Sequence, residues 1–459
     1  MSTSSNTSFF SDLLTSIAER GRALLSSSPR KAQGAARSAT LVERCEELLS
    51  GRGEASGVAL ATEILERYER MKTGERIAFF EALAESFGPD RARLDAAVEA
   101  YGRTGSDTSM AEMHAASEPR RQELFRRLNM APRATLALVR MREDLMDALP
   151  RRRDLAAVNQ DFAHLFSSWF NRGFLVLRRM HWSTPANVLE KLIRYEAVHE
   201  IRDWNDLRAR VDTPDRRCYA FFHPALVDEP LIFVEVALTG DIPGAIAPVL
   251  DQNRAHLDPR KATTAVFYSI SNCQRGLAGV SFGNFLIKQV VEEISHEFSN
   301  LTTFVTLSPA PTFRKWLDAE RAAENSAVLE AADRETLKAL DEAGWEDKPE
   351  VRAALTPVLA SAAAYYYLAA KTPKGKPVDP VARFHLGNGA RLECINPMGD
   401  LSRKGLSQAV GLMVNYRYLL NDIEKNHEAF AGKGEVVASP AVKKLLRGDV
   451  AQRALVPLS

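Results

Sequence analysis

Residues 265–294 read AVFYSISNCQRGLAGVSFGNFLIKQVVEEI, and this stretch decides the fold class. It opens as a β-branched and aromatic run, crosses a glycine-bearing loop, and ends with apolar residues at helical spacing: Phe282, Phe285, Leu286, Val290 and Ile294. A strand feeding a helix in this way is a unit of α/β architecture. Gly276, Gly279 and Gly283 let backbone approach a ligand closely. The N–H groups at a helix start suit a phosphate or pyrophosphate, with Gln274 and Arg275 as candidate helpers. The competing reading is a plain turn.

Outward from this stretch the grammar differs on the two sides. From about residue 172, short β-type runs recur: FLVLRRM (174–180), RCYAFFH (217–223), LIFVEVAL (231–238) and LTTFVTLS (301–308). Up to about residue 171 the chain reads as helix after helix. GVALATEILERYERM (57–71) and ERIAFFEALAESF (75–87) carry apolar residues three and four apart, and residues 118–130 and 134–149 continue the pattern. The expected organisation is therefore α+β: an all-helical domain over 1–171, then an α/β domain over 172–459. The latter carries a mostly helical insertion around 318–372 and a solvated loop, KTPKGKPVDP, at 371–380. No internal repeat at a solenoid or propeller period is visible. The helical half shows no catalytic constellation, which leaves packing or self-association as its role.

Composition narrows the function. With 45% hydrophobic residues, 26% charged residues and a net charge of +1, the chain is expected to bury a sizeable core and carries no global field for nucleic acid or an anionic membrane. Cys45, Cys218, Cys273 and Cys394 are far apart and read as buried thiols rather than a disulfide framework. The nine histidines show no metal-ligand spacing, so no metal is expected. The uncharged run 353–370 reaches the lower length limit of a membrane span. It holds Pro357 and three tyrosines, and reads as a buried helix with no membrane partner. The Ser-rich start resembles an organellar presequence weakly, with Asp12 and Glu19 against it, and LVPLS is no peroxisomal tail. Cytoplasm is the expected compartment, with the mitochondrial matrix as the alternative.

Four places carry candidate chemistry. In FVTLSPAPTFRKWL (304–317), Ser308 ends a β-type run, and Pro309 biases it to an extended conformation, a stiff mount for a hydroxyl donor or simply a turn serine. In ARFHLGNGARLECINPMGDLSRKGLSQAVGLMVNYRYLL (382–420), His385 is placed on a short strand before a hairpin-like turn, Gly387-Asn388-Gly389. Asn415, Tyr416, Arg417 and Tyr418 are placed on a later helix. In residues 219–246, His223 closes a strand, while Glu235 inside an apolar strand reads as pointing to the wet face. Finally, Gly279-Val280-Ser281-Phe282-Gly283 matches the GxSxG nucleophile elbow, with His385 downstream and Asp341 or Asp379 between. Against that stand the ten residues separating Ser281 from the strand end, and the sufficiency of a helix N-cap as a role for a serine there.

Together these segments resemble the malonyl-CoA decarboxylase family. The resemblance is carried by IRYEAVHEIRDWNDLRARV (193–211), FFHPALVDEPLIFVEVALT (221–239), AVFYSIS with QRGLAGVSFGNFLIK, TLSPAPTFRKWL, FHLGNGARLECIN and GLMVNYRYLL, in order over most of residues 172–430. It implies a helical oligomerisation domain and a catalytic domain resembling the GNAT-type N-acetyltransferases. It implies malonyl-CoA as substrate, a homo-oligomer (dimer or tetramer), a place in fatty acid metabolism, and no cofactor beyond the CoA of the substrate. Ser308 and His385 would be the catalytic pair. Ala278, Gly279, Val280, Ser281, Phe282, Gly283 and Asn284 would wrap the CoA pyrophosphate, with Lys288 further along the helix. The acetyltransferase phosphate signature is not matched strictly, and Ser281 stands where relatives carry other residues, so its role stays open. The alternatives are an acyl-CoA N-acyltransferase on the same fold, a serine thioesterase using Ser281, and a CoA-binding scaffold without turnover.

Overall fold

The computed structural model describes residue 16 and residues 40–51, 53–280, 282 and 286–447. The chain divides into two compact units. One comprises residues up to 176 with 222–231 and 274–283; the other comprises 177–221, 232–273 and 284 onward.

The first unit contains eight α-helices among its described residues, from Leu41–Leu49 to Ala156–Trp169. Their starts follow the local chemistry of N-caps. Thr40, Asp90 and Ser106 each accept an amide N–H of the following first turn, satisfying donors that the helix itself leaves bare. The periodic apolar faces meet in an aromatic core. Phe80, Phe125, Phe162 and Phe166 are fully buried, with Phe125 and Phe162 stacked at 4.1 Å between ring centroids. Each such burial stabilises by roughly 1.5–3 kcal/mol. One ionic contact lies inside: Asp161 accepts from Arg121 and, at 2.6 Å, from Gln122.

Two short excursions of the chain complete this unit. In one, His223 packs its ring against Phe170 at 4.9 Å. In the other, the turn after the glycine-loop strand is fastened to the Ala134–Ala148 helix. Arg275 meets Asp147 through two 2.8 Å bonds, Arg142 donates to the Gly276 carbonyl at 2.8 Å, and Glu143 accepts the Gly276 N–H at 3.0 Å. A Cβ at Gly276 would lie 2.1 Å from the Val139 carbonyl oxygen, so this glycine serves backbone-to-helix packing rather than ligand approach. Gln274 likewise spends its amide on the Pro230 carbonyl at 3.0 Å. The helpers expected for phosphate are thus occupied in holding the loop's base.

The second unit is built on a mixed sheet: β1 (Val176–Met180), β2 (Arg216–Phe222), β3 (Pro230–Thr239), β4 (Thr264–Asn272), β5 (Thr303–Thr306), β6 (Ser308–Pro309), β7 (Arg391–Asn396) and β8 (Met413–Arg417). The order is β1-β2-β3-β4-β5-β8, with β6 continuing β5 along the same edge of β8 and β7 on the other edge. β4 and β5 are parallel, joined by the Leu286–Glu297 helix, while β3–β4, β5–β8 and β7–β8 are antiparallel. That helix buries Leu286, Ile287, Val290, Val291 and Ile294; Leu286, Val290 and Ile294 take the buried face that their spacing predicts, Phe282 is not part of the helix, and Phe285 lies outside the described residues. Beyond β6 come the helices Phe313–Ala322, Ala331–Leu337 and Pro349–Leu368. The last buries most of its residues and holds Pro357 inside it. No helix of the described residues is long and apolar enough to cross a membrane.

Three local expectations are corrected. His385 lies on a helix, Pro380–Gly387, not a strand, and Gly389 at φ 79° closes that helix rather than a hairpin. Asn415, Tyr416 and Arg417 lie on β8, not a helix. Glu235 does not face water: it is 1% exposed and pairs with Arg210 at 3.1 Å, and burial pushes its carboxyl up to about 8 against the pull of that guanidinium.

Candidate active site

In open α/β layers, ligands favour the crevice at the carboxyl ends of parallel strands. β4 ends at Asn272 and β5 at Thr306, and a cavity of about 240 Å³ lies there. Its walls are mostly apolar: Ile232 from β3, Phe267 and Ile270 from β4, Pro309 from β6, Val381 and Phe384 from the Pro380–Gly387 helix, and Val198 from a loop. Tyr268 and Asn272 of β4 also line it, and Ser308 and His385 stand side by side within it.

Ser308 is placed by sheet geometry. After β5 the chain breaks at Leu307 and resumes pairing with β8, Ser308 opposite Val414. Residues two apart on extended chain share a face, so Thr306 and Ser308 sit together, and Ser308 Oγ donates to Thr306 Oγ1 at 2.9 Å. Thr306 Oγ1 also accepts the Tyr416 N–H at 3.1 Å, and Asn415 donates to the Thr306 carbonyl at 2.8 Å. The polar density of the NYRY stretch is therefore scaffolding for the serine.

His385 is placed by its helix. Asp379, one residue before Pro380, accepts the N–H groups of Val381 (2.8 Å) and Ala382 (2.9 Å), while Pro380 occupies the first turn. Tyr366 of the insertion donates to Asp379 at 3.1 Å. At the other end, the Asn388, Gly389 and Ala390 amides bond back to Phe384, His385 and Leu386 carbonyls. The imidazole is buried, stacked on Tyr416 at 4.7 Å and 24°.

Ser308 Oγ and His385 Nε2 are 3.2 Å apart, and His385 Nδ1 lies 2.9 Å from the Tyr418 hydroxyl. Burial pushes the imidazole down to about 3, so it is neutral near pH 7 and carries one N–H. The serine proton is committed to Thr306. The His385 proton is therefore on Nε2, and Nδ1 accepts from Tyr418, whose phenol burial keeps protonated. The result is a directed chain, Tyr418 O–H to His385, His385 Nε2–H to Ser308, Ser308 O–H to Thr306. Tyr418 and Thr306 were not expected as partners. The signal for Thr306 was strand alternation with Ser308; for Tyr418 there was none once its segment was read as helix.

The other candidates lie elsewhere. His223 is in the first unit. Asp341 is a surface partner of Arg321, and Asp379 spends its oxygens on its own helix and Tyr366, so neither supplies His385 with a triad carboxylate. In the proposed cradle, Gly279 has φ 78° and open space where a side chain would stand, Ala278 is exposed, Val280 is buried and Phe282 is half-buried. Ser281, Gly283 and Asn284 lie outside the described residues. Lys288 lies on the Leu286–Glu297 helix and meets Glu424 at 2.7 Å.

A neutral imidazole N–H beside a hydroxyl, in a mostly apolar chamber at strand ends, is an arrangement able to polarise or protonate a carbonyl compound. The comparisons with known proteins give the class its particular form. Family models for the malonyl-CoA decarboxylase N-terminal and C-terminal domains match residues 87–170 and 173–456. The chain belongs to the malonyl-CoA decarboxylase family. Among curated relatives, the mitochondrial malonyl-CoA decarboxylase of Anser anser anser is 39% identical over 71% of this chain and 69% of its own. That of Mus musculus is 37% identical over 72% and 71%. Among solved structures, malonyl-CoA decarboxylase from Rhodopseudomonas palustris is 58% identical, with TM-score 0.86 over 88% of this chain and 98% of that one. The Cupriavidus metallidurans enzyme is 34% identical, with TM-score 0.68 over the same shares, 88% and 98%.

Proposed function

We propose that this member of the malonyl-CoA decarboxylase family removes carbon dioxide from malonyl-CoA in the cavity that holds Ser308 and His385. The observation that carries this reading is the 3.2 Å contact between a hydroxyl and a neutral imidazole inside mostly apolar walls. When the bond from the α-carbon to the carboxylate breaks, its electron pair enters the thioester π system, and charge gathers on the carbonyl oxygen. Stabilising that oxygen needs donors already in place. Ser308 and His385 Nε2–H supply two, once the substrate displaces their bonds to each other and to Thr306. A neutral imidazole suits this work, because its N–H polarises an oxygen without holding a full buried charge. The apolar walls favour the dispersed enolate and neutral carbon dioxide over a localised carboxylate. His385 then delivers a proton to the α-carbon, and solvent restores it. The thioester is itself the electron sink, so the chemistry calls for no cofactor.

The loop 278–284, with Lys288, is assigned to the CoA pyrophosphate. Gly279 supports this: its positive φ presents backbone with no side chain in the way. The helical unit is assigned to self-association as a dimer or tetramer, and the chain to the cytoplasm and to fatty acid metabolism. Incubating the purified chain with malonyl-CoA tests the activity. Acetyl-CoA and carbon dioxide are expected in equal amounts with no free thiol. Release of free CoA would instead point to acyl transfer or thioester hydrolysis, and binding without turnover to a scaffold.

A further inference from the structure

All the cavity walls but one come from strands or from the His385 helix. Val198 is the exception, on the loop between the Ala186–Tyr195 and Trp204–Val211 helices. A loop wall is ordinarily the soft part of a site. This one is held from both sides. The Glu196 carboxylate accepts the amides of Val198 and His199 at 2.7 Å each and the Ser269 hydroxyl at 2.8 Å. Ala197 N–H donates to Ser271 Oγ at 3.3 Å. Lys404 donates to the Ala197 and Val198 carbonyls, and Arg210 to those of His199 (2.8 Å) and Glu200 (2.9 Å). The N–H groups of residues 197–199 and the carbonyls of residues 197–200 are thus held by side chains rather than by secondary structure, although Ala197 and Glu200 are exposed.

We infer that Val198, clamped by Glu196, is the wall that sets which α-substituents the substrate carries, excluding an α-alkyl group such as the methyl of methylmalonyl-CoA. The inference rests on the reading of the cavity given above. The two polar groups of the malonyl head compete for Ser308 and His385, the α-carbon lies one bond from both, and a substituent on it must therefore meet one of the remaining walls, which apart from Tyr268 and Asn272 are apolar. The other walls are built into the sheet or the His385 helix; Val198 is the wall whose position a clamp sets. Glu196 acts through Val198 and is a positioning residue.

The test is the ratio of kcat/KM for methylmalonyl-CoA to that for malonyl-CoA. A hydrophobic pocket discriminates one methyl group by roughly 10–200-fold. Val198→Ala is expected to raise the ratio by about tenfold or more, and Glu196→Ala to raise it in the same direction, with Glu196→Gln restoring part of the wild-type ratio. Should Glu196→Ala not fold, Lys404→Ala removes a second anchor, the one on the Ala197 and Val198 carbonyls, and is read the same way. A ratio unmoved by Val198→Ala overturns the wall, and a ratio moved by Val198→Ala but by no anchor variant overturns the clamp. Wild-type turnover of malonyl-CoA is measured alongside, so failure of the wall is distinct from failure of the activity itself.

Discussion

In the proposed mechanism the chemistry turns on the His385 imidazole, and its environment makes three demands that can be measured. It is neutral because it is buried, not because of a charged neighbour. Its titration therefore places no inflection in kcat between pH 5 and 8. The same burial has a stability consequence. An unfolded histidine takes up a proton near pH 6.5, whereas the folded one resists until about 3. Between those values the unfolded state binds more protons, so this group's contribution is full above pH 6.5 and is lost as pH falls toward 3. In denaturant titrations at pH 7 and pH 5, His385→Gln is expected to lose less stability on acidification than wild type; an equal loss would contradict the buried neutral state. Tyr418→Phe removes the donor that holds the Nδ1 side. The loss of one such hydrogen bond, about 1–1.5 kcal/mol, corresponds to roughly a tenfold fall in kcat, with KM for malonyl-CoA nearly unchanged.

The helix Pro380–Gly387 shows what local sequence does and does not encode. Gly387-Asn388-Gly389 was read as a hairpin, but a residue at positive φ is needed equally by a hairpin turn and by a helix C-terminus, so the glycines could not decide. Asp379-Pro380 could have: an N-cap acid followed by proline at the first helical position is a helix start, and Ala382, His385 and Leu386 have helical spacing. The NYRY segment failed for another reason. A short continuous apolar run does not separate buried strand from buried helix, and β8 is buried between β7 on one edge and β5 and β6 on the other. Asp379 is the element's weak point. Asp379→Ala is expected to destabilise by about 1 kcal/mol and to lower kcat by loosening the mount of His385. Asp379→Asn, which keeps an acceptor, should recover much of both in paired melting and turnover assays. Equal damage from both substitutions would mean that the carboxylate charge, rather than the cap, matters.

At the scale of the molecule, the division into a helical and a mixed half was legible from periodicity alone, because amphipathic helices and β-branched runs bury their apolar residues at different spacings. What periodicity does not reveal is which distant segments pack together. The turn 274–277 reads as part of the strand-to-helix loop, yet it is bolted to the Ala134–Ala148 helix by Asp147, Glu143 and Arg142. The helical unit therefore holds the base of the proposed CoA loop in addition to any role in assembly. Glu235 was misread for the same reason: its partner Arg210 is local in space but not in any pattern the strand itself carries. Gly276→Ala forces a Cβ against the Val139 carbonyl, a clash of the kind that costs about 1–3 kcal/mol. It is expected to lower the melting temperature and raise KM for malonyl-CoA more than it lowers kcat; an unchanged KM would separate the loop from CoA binding.

The most direct measurement is single-turnover decarboxylation of malonyl-CoA in heavy water by wild type, Ser308→Ala and His385→Ala, with acetyl-CoA followed by mass and malonyl-CoA binding measured separately. Wild type is expected to place a single deuterium on the acetyl group. Both variants should bind malonyl-CoA yet turn it over about 10²–10⁴-fold more slowly. Variants that decarboxylate at the wild-type rate would contradict the account.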